Sequence, residues 1–403
     1  TSMNVITSKL LMTSLLYCCA FSAVANDKTD DDPTDINDLD LESLLNQRVA
    51  LHRESDTASG VSESIMDAPA SMAVISKEDI KRRGYTSIDD IMSDLPGFDV
   101  MTTHGTENIV AYQRGYRTPF TQRTLLLING KVDNNMWVHS AIFSKQYPMQ
   151  AIERIEVLYG PAGAVYGPNA FLGVINIITK DPRNLKEGED YFSSQFVAGS
   201  YESYGVDFTS GGNLGGLSYV VSAKLYESES PGIEDYSDWG YFKESYLSDT
   251  DIWGQAIANS DFNNDGVGDT LNGNTLGQYG NPKSNVGILA DVGYGSFKAG
   301  LLYWETDEAY GPFYAFDKAQ PNVSWLHDST QYYIEHSGKV NEVGVNTELL
   351  YRENNVFGYW VESSGGAVSI SNWNAFNSAW RFRQQYTYEL TDDLQISGGI
   401  KYE

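Results

Sequence analysis

The run DFNNDGVGD, Asp261 to Asp269, places oxygen ligands at the spacing of a calcium loop. Asp261, Asn263 and Asp265 stand at positions one, three and five, a glycine at six, the Val267 carbonyl at seven and Asp269 at nine. Position twelve is Asn272, where an EF-hand has a bidentate glutamate, so the expected site is weak unless Asp249 or Asp251 joins it. Calcium would act there as a structural, loop-ordering ion; the alternative is an acidic, solvated hairpin tip. No cofactor is otherwise required. His52, His104, His139, His327 and His336 are scattered without metal spacing, and no GxSxG-type elbow accompanies the serines, so the sequence does not read as an enzyme. A net charge of -27 argues against nucleic acid as a partner, because phosphate binding needs a basic surface.

A second constellation is AIERIEVLYGPAGAVYGPNAFLGVINIITK, Ala151 to Lys180. Ile152, Ile155 and Val157 precede a turn region, and Val174, Ile175, Ile177 and Ile178 follow it, which predicts two buried strands around a glycine-rich loop. Gly160, Gly163, Gly167 and Gly173 give that loop backbone freedom and close approach. A phosphate-cradling loop is the rival, but it needs a lysine and a hydroxyl opening a helix, and a β-branched strand stands there instead. Upstream, Asp67 to Val100 reads as strand, helix, turn, helix, strand. Ser76 caps the first helix with an acidic first turn, Gly84 stops it, Ser87 caps the second, and Pro96 and Gly97 end it.

These residues together resemble the plug of TonB-dependent receptors. Arg114-Gly115-Tyr116 and the segment Leu125 to Asn134 match the family's arginine-glycine segment and its apolar strand with a polar turn, so the resemblance runs nearly unbroken from Asp67 to Lys180. It implies an α+β plug domain inside an antiparallel transmembrane β-barrel, in the outer membrane of a Gram-negative bacterium. It further implies that Arg114 and Arg154 form ion pairs with barrel carboxylates; simple turn-stabilising roles are the alternative. One departure is Tyr159, where the family more often has arginine before the glycine-proline pair, and this puts one local ion pair in doubt.

The rest of the chain fits that expectation. Leu10 to Ala25, preceded by Lys9 and ending Ala23-Val24-Ala25, has the form of a secretory signal at residues 1–25. It is short for a transmembrane span and broken by Thr13 and Ser14. Both cysteines, Cys18 and Cys19, lie inside it, and the residues before them suit a lipoprotein anchor poorly. With 13% aromatic residues, 27 tyrosines and 37 glycines, the composition favours β structure with many turns. From residue 190 the pattern alternates: Leu217, Tyr219, Val221, Ala223 and Leu225 fall on one face, and Ser218, Ser222 and Lys224 on the other. Val286, Ile288, Ala290 and Val292 repeat it, as do Trp380, Phe382 and Tyr386. Lipid-facing and lumen-facing residues alternate in this way along transmembrane strands; a soluble β-sandwich gives the same alternation with the faces reversed. Short turns are expected near Gly211 to Gly216, Gly293 to Ser296, Val340 to Glu342 and Thr391 to Asp393. Long outer loops are expected near Ser228 to Ser284, Asp307 to His327 and Asn354 to Asn372. About nine strands result by Glu403. Because the family's barrels have about 22 strands, the chain is expected to be an N-terminal part of a longer receptor.

Residues 67–182 are thus read as plug and 190–403 as barrel. Residues 26–66, rich in aspartate, are read as a periplasmic extension. By position the extension resembles the place of the family's TonB box, assigned to Arg48, Val49, Ala50, Leu51, His52 and Arg53, while Leu39 to Leu45 reads equally as an amphipathic helix beneath the plug. The implied partners are the energy-transducing TonB protein, outer-membrane lipid and a small extracellular ligand. A ferric siderophore is the first expectation for that ligand, with cobalamin or an oligosaccharide as alternatives. Trp325 and Trp360 are among the loop aromatics that could stack on it or sit in an interface girdle. A passive porin is the competing reading; it would lack the N-terminal globular domain.

Overall fold

The computed structural model describes residues 71–102, 109–116, 120–229, 282–309, 324–364, 367–391 and 394–403, with isolated strand pieces at 54–55, 63–64, 313–315 and 318–319. The residues expected to form the signal, the TonB contact (Arg48 to Arg53) and the calcium loop (Asp261 to Asp269) lie outside these segments.

The first layer is a small α+β unit. Strand β1 (Ser71–Ser76) runs into helix α1 (Lys77–Arg83), which is capped as its sequence dictates. The Asp79 amide donates to Ser76 Oγ at 3.2 Å, the Asp79 carboxylate accepts from the Ser76 amide in return, and Gly84 closes the helix at φ 71°. Helix α2 (Ile88–Asp94) buries Ile88, Ile91 and Met92 and opens on Ser87, whose amide donates to Asp90 Oδ2 at 3.1 Å. Strands β2 (Phe98–Thr102) and β3 (Ile109–Gln113) form a hairpin of their own. Strands β4 (Thr124–Ile128) and β5 (Lys131–Val132) are joined by Asn129-Gly130, both at positive φ, the conformation that a two-residue hairpin turn of this sequence favours. Strands β6 (Ile152–Tyr159) and β7 (Gly173–Thr179) are the two apolar runs around the glycine loop. The five-stranded sheet has the order β1-β6-β7-β4-β5, with β4 and β7 parallel and the other pairs antiparallel. Ile155, Val157, Ile175 and Ile177 make its core against α2.

Gly173 shows why the loop ends in glycine. A Cβ there would lie 2.2 Å from the Leu158 carbonyl oxygen and 2.6 Å from the Gln113 amide, so the strand can pass only without a side chain.

The second layer is an antiparallel sheet of nine strands in sequential order: β8 (Asp190–Gly199), β9 (Ser203–Leu214), β10 (Leu217–Ser228), β11 (Lys283–Tyr294), β12 (Phe297–Ala309), β13 (Ser324–Val340), β14 (Val343–Ser364), β15 (Ala367–Thr391) and β16 (Leu394–Tyr402). The sheet is not closed on itself; β8 and β16 are its edges. Its alternation follows the sequence. Leu217, Tyr219, Val221 and Val292 are exposed, while Ser218, Ser222, Lys224, Asn285 and Asp291 are buried beneath the α+β unit. The β9–β10 turn is Gly215-Gly216, both at positive φ, and the β13–β14 turn begins at Asn341, φ 55°.

One outer connection differs from expectation. The stretch from Asn354 to Asn372 is not a long loop, because β14 and β15 stay paired out to Ser364 opposite Ala367. Val356, Phe357, Tyr359, Trp360 and Val361 are strong strand formers, so pairing continues beyond the expected end.

Candidate functional site

The segment that follows β5, Asp133 to Gln146, presses into the concave side of the nine-stranded sheet, and polar contacts hold it there. Asp133 is fully buried. Its carboxylate accepts from Tyr147 Oη at 2.7 Å, from Trp304 Nε1 at 3.0 Å and from Gln331 Nε2 at 2.9 Å. Burial raises its pKa to about 6 against the opposing pull of these donors and of Arg352. Arg352 reaches from β14 to the backbone on either side of Asp133, donating to the Val132 carbonyl at 3.1 Å and to the Asn134 carbonyl at 2.5 Å. Ser144 donates to Glu308, which also accepts from Asn285 Nδ2 at 3.0 Å.

A second cluster lies further along these strands, toward the β13–β14 turn. Lys131 pairs with Glu335 and stands 4.0 Å from Glu348, which is also held by Arg381 at 2.8 Å. Burial pushes the Lys131 ammonium below its usual pKa, with Glu335 opposing. Lys298 bridges Glu335 and Asp181, each at 3.2 Å, and Arg183 closes on Asp181 at 2.6 Å. Burial disfavours the Asp181 charge, yet Arg183 and Lys298 bring its pKa down to about 2. Asp181 lies just past β7, so this clasp ties the end of the α+β unit to the sheet wall. On a third side Lys145 pairs with Asp89 of α2 at 3.3 Å, and Lys224 of β10 donates to the Thr86 carbonyl at 2.5 Å.

A globular unit seated by buried polar contacts on the inner face of a membrane-type sheet is the arrangement the sequence led one to expect. The model of the TonB-dependent Receptor Plug Domain matches residues 64–174. The chain carries a TonB-dependent receptor plug. Over 202 residues it is 32% identical to the iron-regulated outer membrane virulence protein of Vibrio cholerae serotype O1, a match covering 48% of this chain and 29% of that protein. Among solved structures, the pyoverdine outer membrane receptor FpvA of Pseudomonas aeruginosa PAO1 aligns with a TM-score of 0.62 at 16% identity, covering 86% of this chain and 48% of the receptor. The ferric enterobactin receptor PfeA of the same species aligns with a TM-score of 0.55 at 17% identity, covering 86% of this chain and 50% of that one. At such identities the likeness concerns the fold: a plug domain against an antiparallel wall. The chain spans under a third of the Vibrio cholerae protein's length.

The two plug arginines singled out in the sequence are placed differently from the family-based expectation. Arg154 Nε donates to Glu156 at 2.6 Å, a neighbour two residues on along the same face of β6, and Arg114 Nη2 lies 3.4 Å from the Tyr159 carbonyl. Among the described residues, the plug cations that meet wall carboxylates are Lys131 and Arg183. Tyr159 packs edge-to-face on Phe98 with centroids 5.9 Å apart. The run Lys131-Val132-Asp133-Asn134-Asn135 directly after an apolar strand was the legible sign of this seat: four of its five residues are too polar for a core, yet too close to β4 to reach solvent.

Proposed function

We propose that this chain is part of an outer-membrane receptor of a Gram-negative bacterium that imports a scarce iron complex of the ferric-siderophore type, driven by TonB acting on the plug. The observation that carries this reading is the polar seat of the plug. Contacts such as Asp133 with Gln331 and Arg352 with the Asn134 carbonyl can be exchanged for water at small net cost, so the plug can be displaced and reseated, as an apolar interface could not. The iron-regulated relative and the siderophore receptors sharing the fold support iron as cargo. Ligand held at the outer end would favour a state in which the N-terminal extension is available to TonB, coupling two sites by differential affinity. Nothing in this cycle requires covalent chemistry or a cofactor.

The reading is tested by uptake of a labelled ferric siderophore, cobalamin and an oligosaccharide by cells expressing the protein at full length, with and without functional TonB. Iron uptake that vanishes without TonB supports it. Equal uptake in both strains overturns it in favour of a passive pore, and TonB-dependent uptake of cobalamin or oligosaccharide alone reassigns the cargo.

The TonB contact is proposed at Arg48 to Arg53. Deleting these six residues is expected to abolish uptake while leaving ligand binding to whole cells unchanged; energy-dependent uptake by the deletion variant would refute the placement. Asp261, Asn263, Asp265, Val267 and Asp269 are proposed to hold a structural calcium ion. Asp261→Ala combined with Asp265→Ala should abolish calcium-dependent protection of the 229–282 segment from protease, and identical cleavage of the wild type with and without calcium would count against the ion.

A further inference from the structure

Resting on the reading that TonB displaces the plug, we propose that Asp207 and Lys224 are an ion pair of the wall which the seated plug holds open and which closes when the plug withdraws. The two residues are direct partners in the register of β9 and β10, and both are buried on the inward face, with 3% and 5% of their surface exposed. Opposite charges placed in this way stand close enough to meet. With the plug seated, each is taken by plug backbone instead. Asp207 Oδ2 accepts from the Met149 amide at 2.6 Å and from the Gln150 amide at 3.3 Å, and Lys224 Nζ donates to the Thr86 carbonyl at 2.5 Å. Asp207 Oδ1 is buried and accepts no hydrogen bond among the described residues.

Another wall pair shows what the plug prevents here. Lys298 and Glu335 are likewise direct partners, in the register of β12 and β13, and their charges meet at 3.2 Å. There the plug adds charges of its own, Lys131 and Asp181, and leaves the wall pair closed. At β9 and β10 it brings uncharged backbone groups, amides to the carboxylate and a carbonyl to the ammonium, and so separates the two charges without replacing either. Its neighbouring charges, Lys145 with Asp89 at 3.3 Å and Asp90 at 3.6 Å, are satisfied within the plug and leave with it. Asp207 and Lys224 line a common cavity with room for about one water molecule, so the pair has space in which to close.

The arrangement makes withdrawal of the plug an exchange of partners. A carboxylate that loses its amides and an ammonium that loses its carbonyl would each be left unpaired, and charged groups make that loss larger. By closing on each other they recover part of it, and the wall keeps two charges in contact instead of two stranded ions. The same pair must reopen before the plug can reseat.

The test is a double-mutant cycle on plug release, which needs no ligand. Full-length protein in outer-membrane preparations is exposed to protease, and the rate of cleavage inside the plug measures the released fraction. Asp207→Asn still accepts from the Met149 amide and Lys224→Gln still donates to the Thr86 carbonyl, while each removes one charge. Losses at the seat add across the two variants, whereas the pair formed after release is lost once, whichever partner is changed. The double variant should therefore release its plug roughly threefold to fivefold more readily than the product of the two single effects. A far-ultraviolet spectrum matching the wild type shows that the variants fold, and Asp207→Ser with Lys224→Met gives a second cycle, with the same sign expected, if an amide variant fails to assemble. Effects that simply multiply, or a double variant that releases less readily than their product, overturn the proposal while leaving plug displacement intact. A plug that is never cleaved while the wall stays folded overturns the displacement reading itself, and the proposal with it.

Discussion

Replacing Gly287 with alanine is expected to unseat the plug. Gly287 lies on β11 on the lumen side, and a Cβ there would fall 1.8 Å from the Gln146 carbonyl oxygen and 2.9 Å from its carbon. Neither partner can yield as a flexible side chain would, because one is wall backbone and the other plug backbone. Relief requires the Gln146 to Pro148 segment to move outward by roughly an ångström or more, which breaks its packing at a cost of about 3 kcal/mol or more. Gly398→Ala, in the same sheet with nothing within 4 Å of an added Cβ, is the matched control. The readout is sensitivity of cells to a large antibiotic that an intact plug excludes, together with protease cleavage inside the plug. Wild-type resistance in the Gly287 variant would show that the plug does not rest on this strand as described.

Asp133→Ala carries the second large effect. It leaves the Tyr147 hydroxyl, the Trp304 indole N–H and the Gln331 amide without their acceptor in a buried site, and it removes the charge facing Arg352. Each orphaned donor costs about 1–3 kcal/mol, partly recovered by rearrangement, so a net loss of about 3–5 kcal/mol is expected in the unfolding of the seated plug. The pH dependence gives a sharper signature. The Asp133 carboxyl has its pKa raised from 3.8 to about 6, so the folded protein holds the proton more tightly than the unfolded chain. Its contribution to stability is therefore fully present below about pH 4 and is lost as pH rises through about 6. Wild type should gain on the order of 2–3 kcal/mol between pH 7 and 4 from this group, and the alanine variant should lack that slope. Asp181 works in the opposite direction, its contribution present above about pH 4 and lost as pH falls toward 2, outside the diagnostic window. Parallel stability profiles for the two proteins between pH 7 and 4 would exclude Asp133 as the titrating group.

Much of the fold was legible because local chemistry and global pattern agree. Ser76, Gly84, Asn129-Gly130 and Gly215-Gly216 each announce a cap or turn by residue type, and the structure uses each at that position. The wall strands alternate because one face meets lipid and the other meets the plug, so Leu217 and Ser218 cannot exchange roles. The site was harder to read. Lys131 and Glu335 are 204 residues apart, and Arg352 and Val132 are 220 apart, so only the packing of the plug against the wall brings each pair together. Arg114 and Arg154 were visible as charges, but a short-range partner two residues away on the same strand face claims Arg154 before any distant carboxylate can.

β14 and β15 outrun the membrane they are read as crossing. Their 22 and 25 residues, at about 3.3 Å each, far exceed the roughly 10 residues that a tilted strand needs to cross the bilayer. A two-stranded ribbon some 12 residues long, roughly 40 Å, is left to stand clear of the lipid, with its tip between Ser364 and Ala367. The same pairing that extends the wall thus replaces a slack loop with a stiff arm, and a residue at its end is held at a fixed height above the rest of the sheet.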